Sequence, residues 1–262
     1  MMGRSRSRVV SSFTIIKGSL IDETFAALQN WDLQEDKQSN LRSLQETNLV
    51  GARSANWLRD VAFVLSRRFD PMGRDRALVE LAKSGCGRDV WRPILLFHMT
   101  RDEFLLRDFL IHWLYTQFIQ GAYRLHTEDV VKYLESLGTK KNIEWSGHWS
   151  ASTTARVASG LLRMATDFGL LTGTVRKEFA SYHLPDDSFI YLLHAMADTE
   201  TNARRIVDAD DWHMYLMGYS EVERELLRLH QFRRVHYEVA GSLAQLKLPC
   251  RSSADFAREL CA

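Results

Sequence analysis

The clearest alternation of apolar and polar positions lies in residues 127–184. Thr127 suits the start of a helix, because its hydroxyl can accept from an orphan N–H of the first turn, and Gly138 can end that helix in the left-handed conformation. A polar connector follows. A second helix begins at Ser150 or Ser152 and stops at Gly169. Ala158, Leu161, Ala165 and Phe168 share one face of it at helical spacing, with Arg156 and Arg163 off that stripe. Leu170 and Leu171 then lead to Gly173, and Ala180, Tyr182 and Leu184 alternate as in a strand. A helix, a connector, a helix with basic outward residues and a short hairpin form the outline of a winged helix-turn-helix.

The N-terminal part follows a similar plan. Ser19 is placed to cap a helix over 20–31, with Ile21, Phe25 and Leu28 on one face. After a polar stretch, 32–40, a short helix is expected around 41–45. Ser54 introduces a helix over 55–69 that turns Leu58, Val61, Ala62 and Leu65 inward and carries Arg59, Arg67 and Arg68. No single offset aligns both the arginines and the apolar stripes of the two modules, so they share a plan rather than a duplicated sequence.

Asp70-Pro-Met-Gly73 breaks the chain, and 74–84 reads as a helix ending at Gly85. Residues 89–99 and 102–123 form a helical pair rich in Leu, Phe, Ile and Trp, the expected hydrophobic centre. Pro185-Asp-Asp-Ser188 opens a helix over 189–197, and Ser220-Glu-Val-Glu223 reads as a capping box for 221–231. Residues 235–248 alternate around Gly241 as a hairpin, and the tail after Pro249 is expected to be loose. The reading divides the chain into an N-terminal helix-turn-helix-like module with a basic tail (1–72), a central helical core (73–125), a winged helix-turn-helix module (126–197) and C-terminal helices with a hairpin (198–262). The fold class is mainly α, with short β wings.

Composition narrows the function. With 45% hydrophobic and 26% charged residues the chain has the profile of a globular protein. Its net charge of +1 exerts no global pull on nucleic acid, so any such argument rests on local charge. Residues 40–68 and 139–163 each carry a net +3, whereas 186–211 carry −5. Cys86, Cys250 and Cys261 are odd in number and widely spaced, which fits idle thiols in a reducing cytoplasm rather than a disulfide framework or metal site. The apolar run 104–119 contains Arg107, Asp108 and His112, which makes it a core helix rather than a membrane span.

The candidate chemistry is contact with a polyanion. Ser152, Thr153 and Thr154 at a helix start can bond a phosphate, and Arg156 and Arg163 would face the major groove or its rim. Lys140, Lys141, Arg176 and Lys177 would hold the flanking backbone and wing, with Arg53, Arg59 and Arg67 forming the N-terminal basic face. Arg4, Arg6 and Arg8 are either an arm touching phosphate or a plain basic tail. Asp208, Asp210, Asp211 and His213 form the one carboxylate–histidine cluster. It lacks a lysine at catalytic spacing and reads as an acidic helix start or a docking face, with a metal-dependent nuclease as the remaining alternative. His98 and His112 lack partners at metal-site spacing. No cofactor motif is present: there is neither a Gly-rich phosphate loop nor a Gly-x-Ser-x-Gly.

Three segments resemble the BrxA family of the BREX phage-exclusion systems of bacteria. They are Trp149-Ser-x-Ser-Thr-x-x-Arg156 with its Phe168-Gly-Leu-Leu171 ending, Leu184-Pro followed by Phe189-Ile-Tyr-Leu-Leu-His194, and the opening run from Ser12 to Thr24. The order of the segments carries the resemblance, which extends to about His194. It implies a mostly helical, non-enzymatic protein with winged helix-turn-helix modules, a likeness to the helical NusB fold, and binding to double-stranded DNA. The expected partners are duplex DNA and other BREX proteins, with no membrane and no small-molecule substrate. A protein–protein adaptor that touches no nucleic acid is the alternative from another class.

Overall fold

The structure, a computed structural model, describes residues 8–139, 145, 149–241 and 243–260. It is mostly helical. The first half runs α1 (Phe13–Lys17), α2 (Ile21–Gln29), α3 (Lys37–Thr47), α4 (Ala55–Arg68), α5 (Arg76–Lys83) and α6 (Arg88–Thr100). One continuous helical rod follows, α7 (Phe104–Asp108), a π-helical stretch (Phe109–Leu114) and α8 (Tyr115–Ile119). Then come α9 (Thr127–Ser136), α10 (Ala151–Asp167), the hairpin β1 (Leu171–Thr172) and β2 (Glu178–Phe179), and α11 (Asp186–Ala197). The chain ends with α12 (Ala203–Val207), α13 (Tyr219–Gln231), the hairpin β3 (His236–Ala240) and β4 (Leu243–Lys247), and α14 (Ser253–Glu259). The two antiparallel hairpins are the only sheets among the described residues. Buried apolar side chains from all four stretches of the chain share one contiguous cluster.

Local signals explain many boundaries. Ser54 accepts from Trp57 N–H at 3.2 Å and starts α4, and Leu58, Val61, Ala62 and Leu65 are buried as their spacing requires. Gly169, at φ +80°, stops α10 as expected. Other boundaries differ. Ser19 does not cap α2; its hydroxyl donates to Asp167 at 2.6 Å at the end of α10, and Leu20 takes a left-handed conformation at the helix start. The helix around 41–45 is longer, because Asp36 accepts from Ser39 N–H and caps it at Lys37. Gly138 does not adopt a positive φ; α9 runs into a 3-10 turn, Leu137–Thr139, and is begun by the His126 N–H donating to Asp129 at 3.1 Å. The capping contact of α13 lies upstream of Ser220, where Gly218 N–H donates to Glu221. The tail after Pro249 is not loose: Ser252 caps α14, whose Phe256 and Ala257 are buried, and His194 stacks on Phe256 with ring centroids 5.1 Å apart.

Two polar networks sit inside this core. Arg68, fully buried, donates to Glu103 at 2.9 Å and to the carbonyls of Thr14, Gly18 and Ser19, fastening α1 to α4. His98 lies between Asp75 (2.7 Å) and the Tyr191 hydroxyl (2.8 Å). An ionised Asp75 only accepts, so Nδ1 of His98 carries the proton and Nε2 accepts from Tyr191. Against the opposing effect of burial, the hydrogen bond from His98 and the nearby Arg74 guanidinium hold the Asp75 carboxyl at about 2.

Burial keeps His98 and His194 neutral: the His98 pKa lies below its ordinary 6.5, and that of His194 falls to about 4. The unfolded chain therefore binds more protons below pH 6.5 than the folded one. Stability from these histidines is complete above 6.5 and is lost as pH falls toward 4. The melting temperature is expected to drop on going from about pH 7 to about pH 5. His194→Leu should flatten that slope in a calorimetric pH series, and an unchanged slope would refute the assignment.

Candidate nucleic-acid interface

The segment 125–184 builds one compact surface. Leu125, just before α9, bridges Lys177, with N–H donors in both directions at 2.8 and 3.3 Å. That bridge ties the start of the helical pair to the hairpin that follows α10. Leu171 pairs with Phe179, and Thr172 with Glu178. The loop between the strands turns at Gly173, φ +91°, where a Cβ would run into the Arg176 carbonyl. Lys177 closes the loop by donating from Nζ to the Gly173 carbonyl at 2.6 Å. Arg176 and Val175, the latter 88% exposed, are left at the tip. Arg124 leans over Tyr123 and bonds Glu178 at 3.2 Å, stiffening the same edge.

Ser150 caps α10, accepting from Thr153 N–H at 3.3 Å, and its hydroxyl also meets those of Ser152 and Thr153 at 3.0 Å. Thr154 is turned back, donating to the Ser150 carbonyl at 3.2 Å. Val157, Ala158, Leu161, Met164 and Ala165 are buried. The first half of α10 thus presents Ser152, Ala155, Arg156 and Ser159 outward. No carboxylate occurs from Ala151 to Thr166, so nothing on the helix before its last residue opposes a polyanion.

The second half of α10 is occupied differently. At Gly160 the helix meets α1 so closely that a Cβ would stand 3.1 Å from the Ile15 carbonyl oxygen. A glycine within a helix costs about 1 kcal/mol relative to alanine, and such a position marks close backbone approach. Arg163 donates to the Ile16 carbonyl at 3.1 Å and so helps end α1. On its other side α1 meets α4: Phe13 packs edge-on against Phe63 at 5.1 Å, and Lys17 pairs with Asp60 at 2.5 Å. Arg67 is half-buried with its guanidinium over the Phe63 ring at 4.2 Å, and Arg68 is enclosed in the core. The N-terminal basic face is thereby reduced to Arg53 and Arg59, both exposed, with Arg59 hydrogen-bonded to Asn56. Lys140, Lys141, Arg4 and Arg6 lie outside the described residues, and Arg8 is exposed.

The acidic cluster is dispersed. Asp211 accepts two bonds from Arg107, at 2.7 and 3.0 Å, and His213 stacks on Tyr115 at 3.9 Å. No three of His, Cys, Asp and Glu converge as a metal site among the described residues.

A family model described as BrxA matches residues 12–195. The chain belongs to the BrxA family. No curated protein and no solved structure matches the chain. Membership associates this BrxA-family chain with BREX phage exclusion. The match spans α1 through most of α11 and includes the whole of the surface just described. Among the described residues no helix is long and apolar enough to cross a membrane. Two residues that shape the surface, Gly160 and Arg124, were not singled out by sequence reasoning. Gly160 carried a usable signal, a glycine inside an otherwise strong helix; Arg124 carried none.

Proposed function

We propose that this BrxA-family protein binds double-stranded DNA as an accessory component of BREX, using residues 125–184 as a winged helix-turn-helix. The first half of α10 would enter the major groove, and the β1–β2 loop would lie against the adjacent backbone. The observations that carry the reading are the acid-free outward face of Ser152, Arg156 and Ser159 on α10 and the exposed tip bearing Arg176 on the hairpin that follows it. Recognition helices present their N-terminal residues to base edges; among the described residues Ser152, Ala155, Arg156 and Ser159 are exposed in the first half of α10, while α1 packs over Gly160 beyond it. Ser152 and the N–H groups of the first turn would take phosphate oxygens, and Arg156 and Arg176 would add charge without sequence information.

A second reading rests on Ile119 and Tyr123, 63% and 72% exposed, next to the hairpin. Exposed apolar side chains on this edge favour an adaptor that docks another BREX protein. A gel shift with random duplex across a salt series separates the two. The DNA reading expects log affinity to fall linearly with log salt, at about 0.9 per phosphate contacted. Absent binding, or binding indifferent to salt, supports the adaptor instead.

A further inference from the structure

A cavity of about 780 Å³ opens where the end of α6, the end of α11, α12 and the start of α14 meet, away from the β1–β2 hairpin. Its volume lies in the range of small-molecule sites. Four arginines line it: Arg74, Arg101, Arg107 and Arg205. Three of them are hydrogen-bonded to carboxylates. Arg107 is held by Asp211, Arg205 by Glu200 at 3.4 Å, and Arg74 by Asp102 at 2.6 Å.

Arg101 differs. Its side chain is only 21% exposed, its guanidinium lies over the Phe97 ring at 4.5 Å, and its nearest carboxylate oxygen, on Asp75, is 3.7 Å away. That distance makes an ion pair but is too long for a hydrogen bond. Asp75 is already engaged by His98, by Asp70 N–H and by Arg74. Asp198, the remaining acid of the cavity, accepts from Ser253 Oγ at 2.5 Å. The guanidinium of Arg101 therefore makes no hydrogen bond among the described residues, although most of it is withdrawn from water. Withdrawing a cation from water is costly unless its donors are met. Burial and the nearby Arg74 accordingly lower its pKa.

We propose that this cavity binds a small molecule through an oxyanion, phosphate or carboxylate, that the planar fork of Arg101 receives. Arg74 and Arg205 lie within the same cavity to add charge, and Phe97, Met196 and Ile206 offer apolar wall to the body of the ligand. The site is independent of the DNA reading, because none of its lining residues belongs to the segment 125–184.

The test is calorimetric titration of the full chain with inorganic phosphate, a nucleoside triphosphate and citrate, each against chloride at equal ionic strength. Saturable binding of a phosphate-bearing probe, or of citrate, is expected, and which one binds identifies the oxyanion. Arg101→Lys keeps the charge but loses the fork and should weaken binding about tenfold, the equivalent of one charge-assisted bond. Arg101→Met should abolish it while circular dichroism stays that of the parent. If Arg101→Met fails to fold, Arg101→Lys alone decides. Thermal stabilisation that rises without saturating, or binding unchanged in Arg101→Lys, would overturn the proposal, since excluded salts stabilise any protein in that way.

Discussion

Arg68→Ala is expected to lower stability by about 3–5 kcal/mol, the cost of leaving one member of a buried ion pair alone. Glu103, 4% exposed, would lose its guanidinium and keep only the Thr14 hydroxyl at 2.8 Å. The carbonyls of Thr14, Gly18 and Ser19 would lose their donors at the same time. Typical domains have about 5–15 kcal/mol in total, so this is a large fraction of the whole and the variant should unfold at much lower urea than the parent. The contrast is Lys17→Ala, which removes an ion pair between α1 and α4. Lys17 and Asp60 are 26% and 31% exposed, so that loss should stay within about 1 kcal/mol. Urea denaturation distinguishes the two, and equal shifts in midpoint would refute the role given to Arg68.

The second large effect is on duplex affinity. Arg156→Glu combined with Arg176→Glu removes two cations from the proposed interface and places two carboxylates on it. The slope of log affinity against log salt should fall by about 2, and affinity at low salt by at least about tenfold. Neither side chain has an ion-pair partner among the described residues, and both are exposed, so the melting temperature should stay near that of the parent. Arg163→Ala is the complementary case. It uncaps α1 and should cost stability, with the salt slope unchanged. A double variant that binds duplex like the parent would place the interface elsewhere.

Much of this molecule was legible from spacing and caps. Helices α4 and α10 are amphipathic over several turns and begin at serines whose hydroxyls close the first turn, so local chemistry and burial agree there. The hairpin about Gly241 and the turn at Gly173 follow from alternation interrupted by a residue that tolerates positive φ. Helix α14 was missed, because seven residues give too short a window for periodicity. Its stability comes from Phe256 against His194 and from Ser253 against Asp198.

By itself the sequence determined the longer amphipathic helices, which helix carries the acid-free face, and that this helix is followed by a glycine-turned hairpin. Those properties arise from neighbours a few residues apart. It could not rank the arginines. Arg67 and Arg68 are adjacent, yet one helical step of about 100° puts the first over an aromatic ring at the surface and the second wholly inside the core. Arg156 and Arg163 look alike on a helical projection and both stay exposed, but the crossing of α1 over Gly160 turns the second onto the Ile16 carbonyl. The cavity around Arg101 likewise joins side chains from distant parts of the chain. What a guanidinium does is decided by the partners that tertiary packing brings within hydrogen-bond reach, and those partners are not its neighbours in sequence.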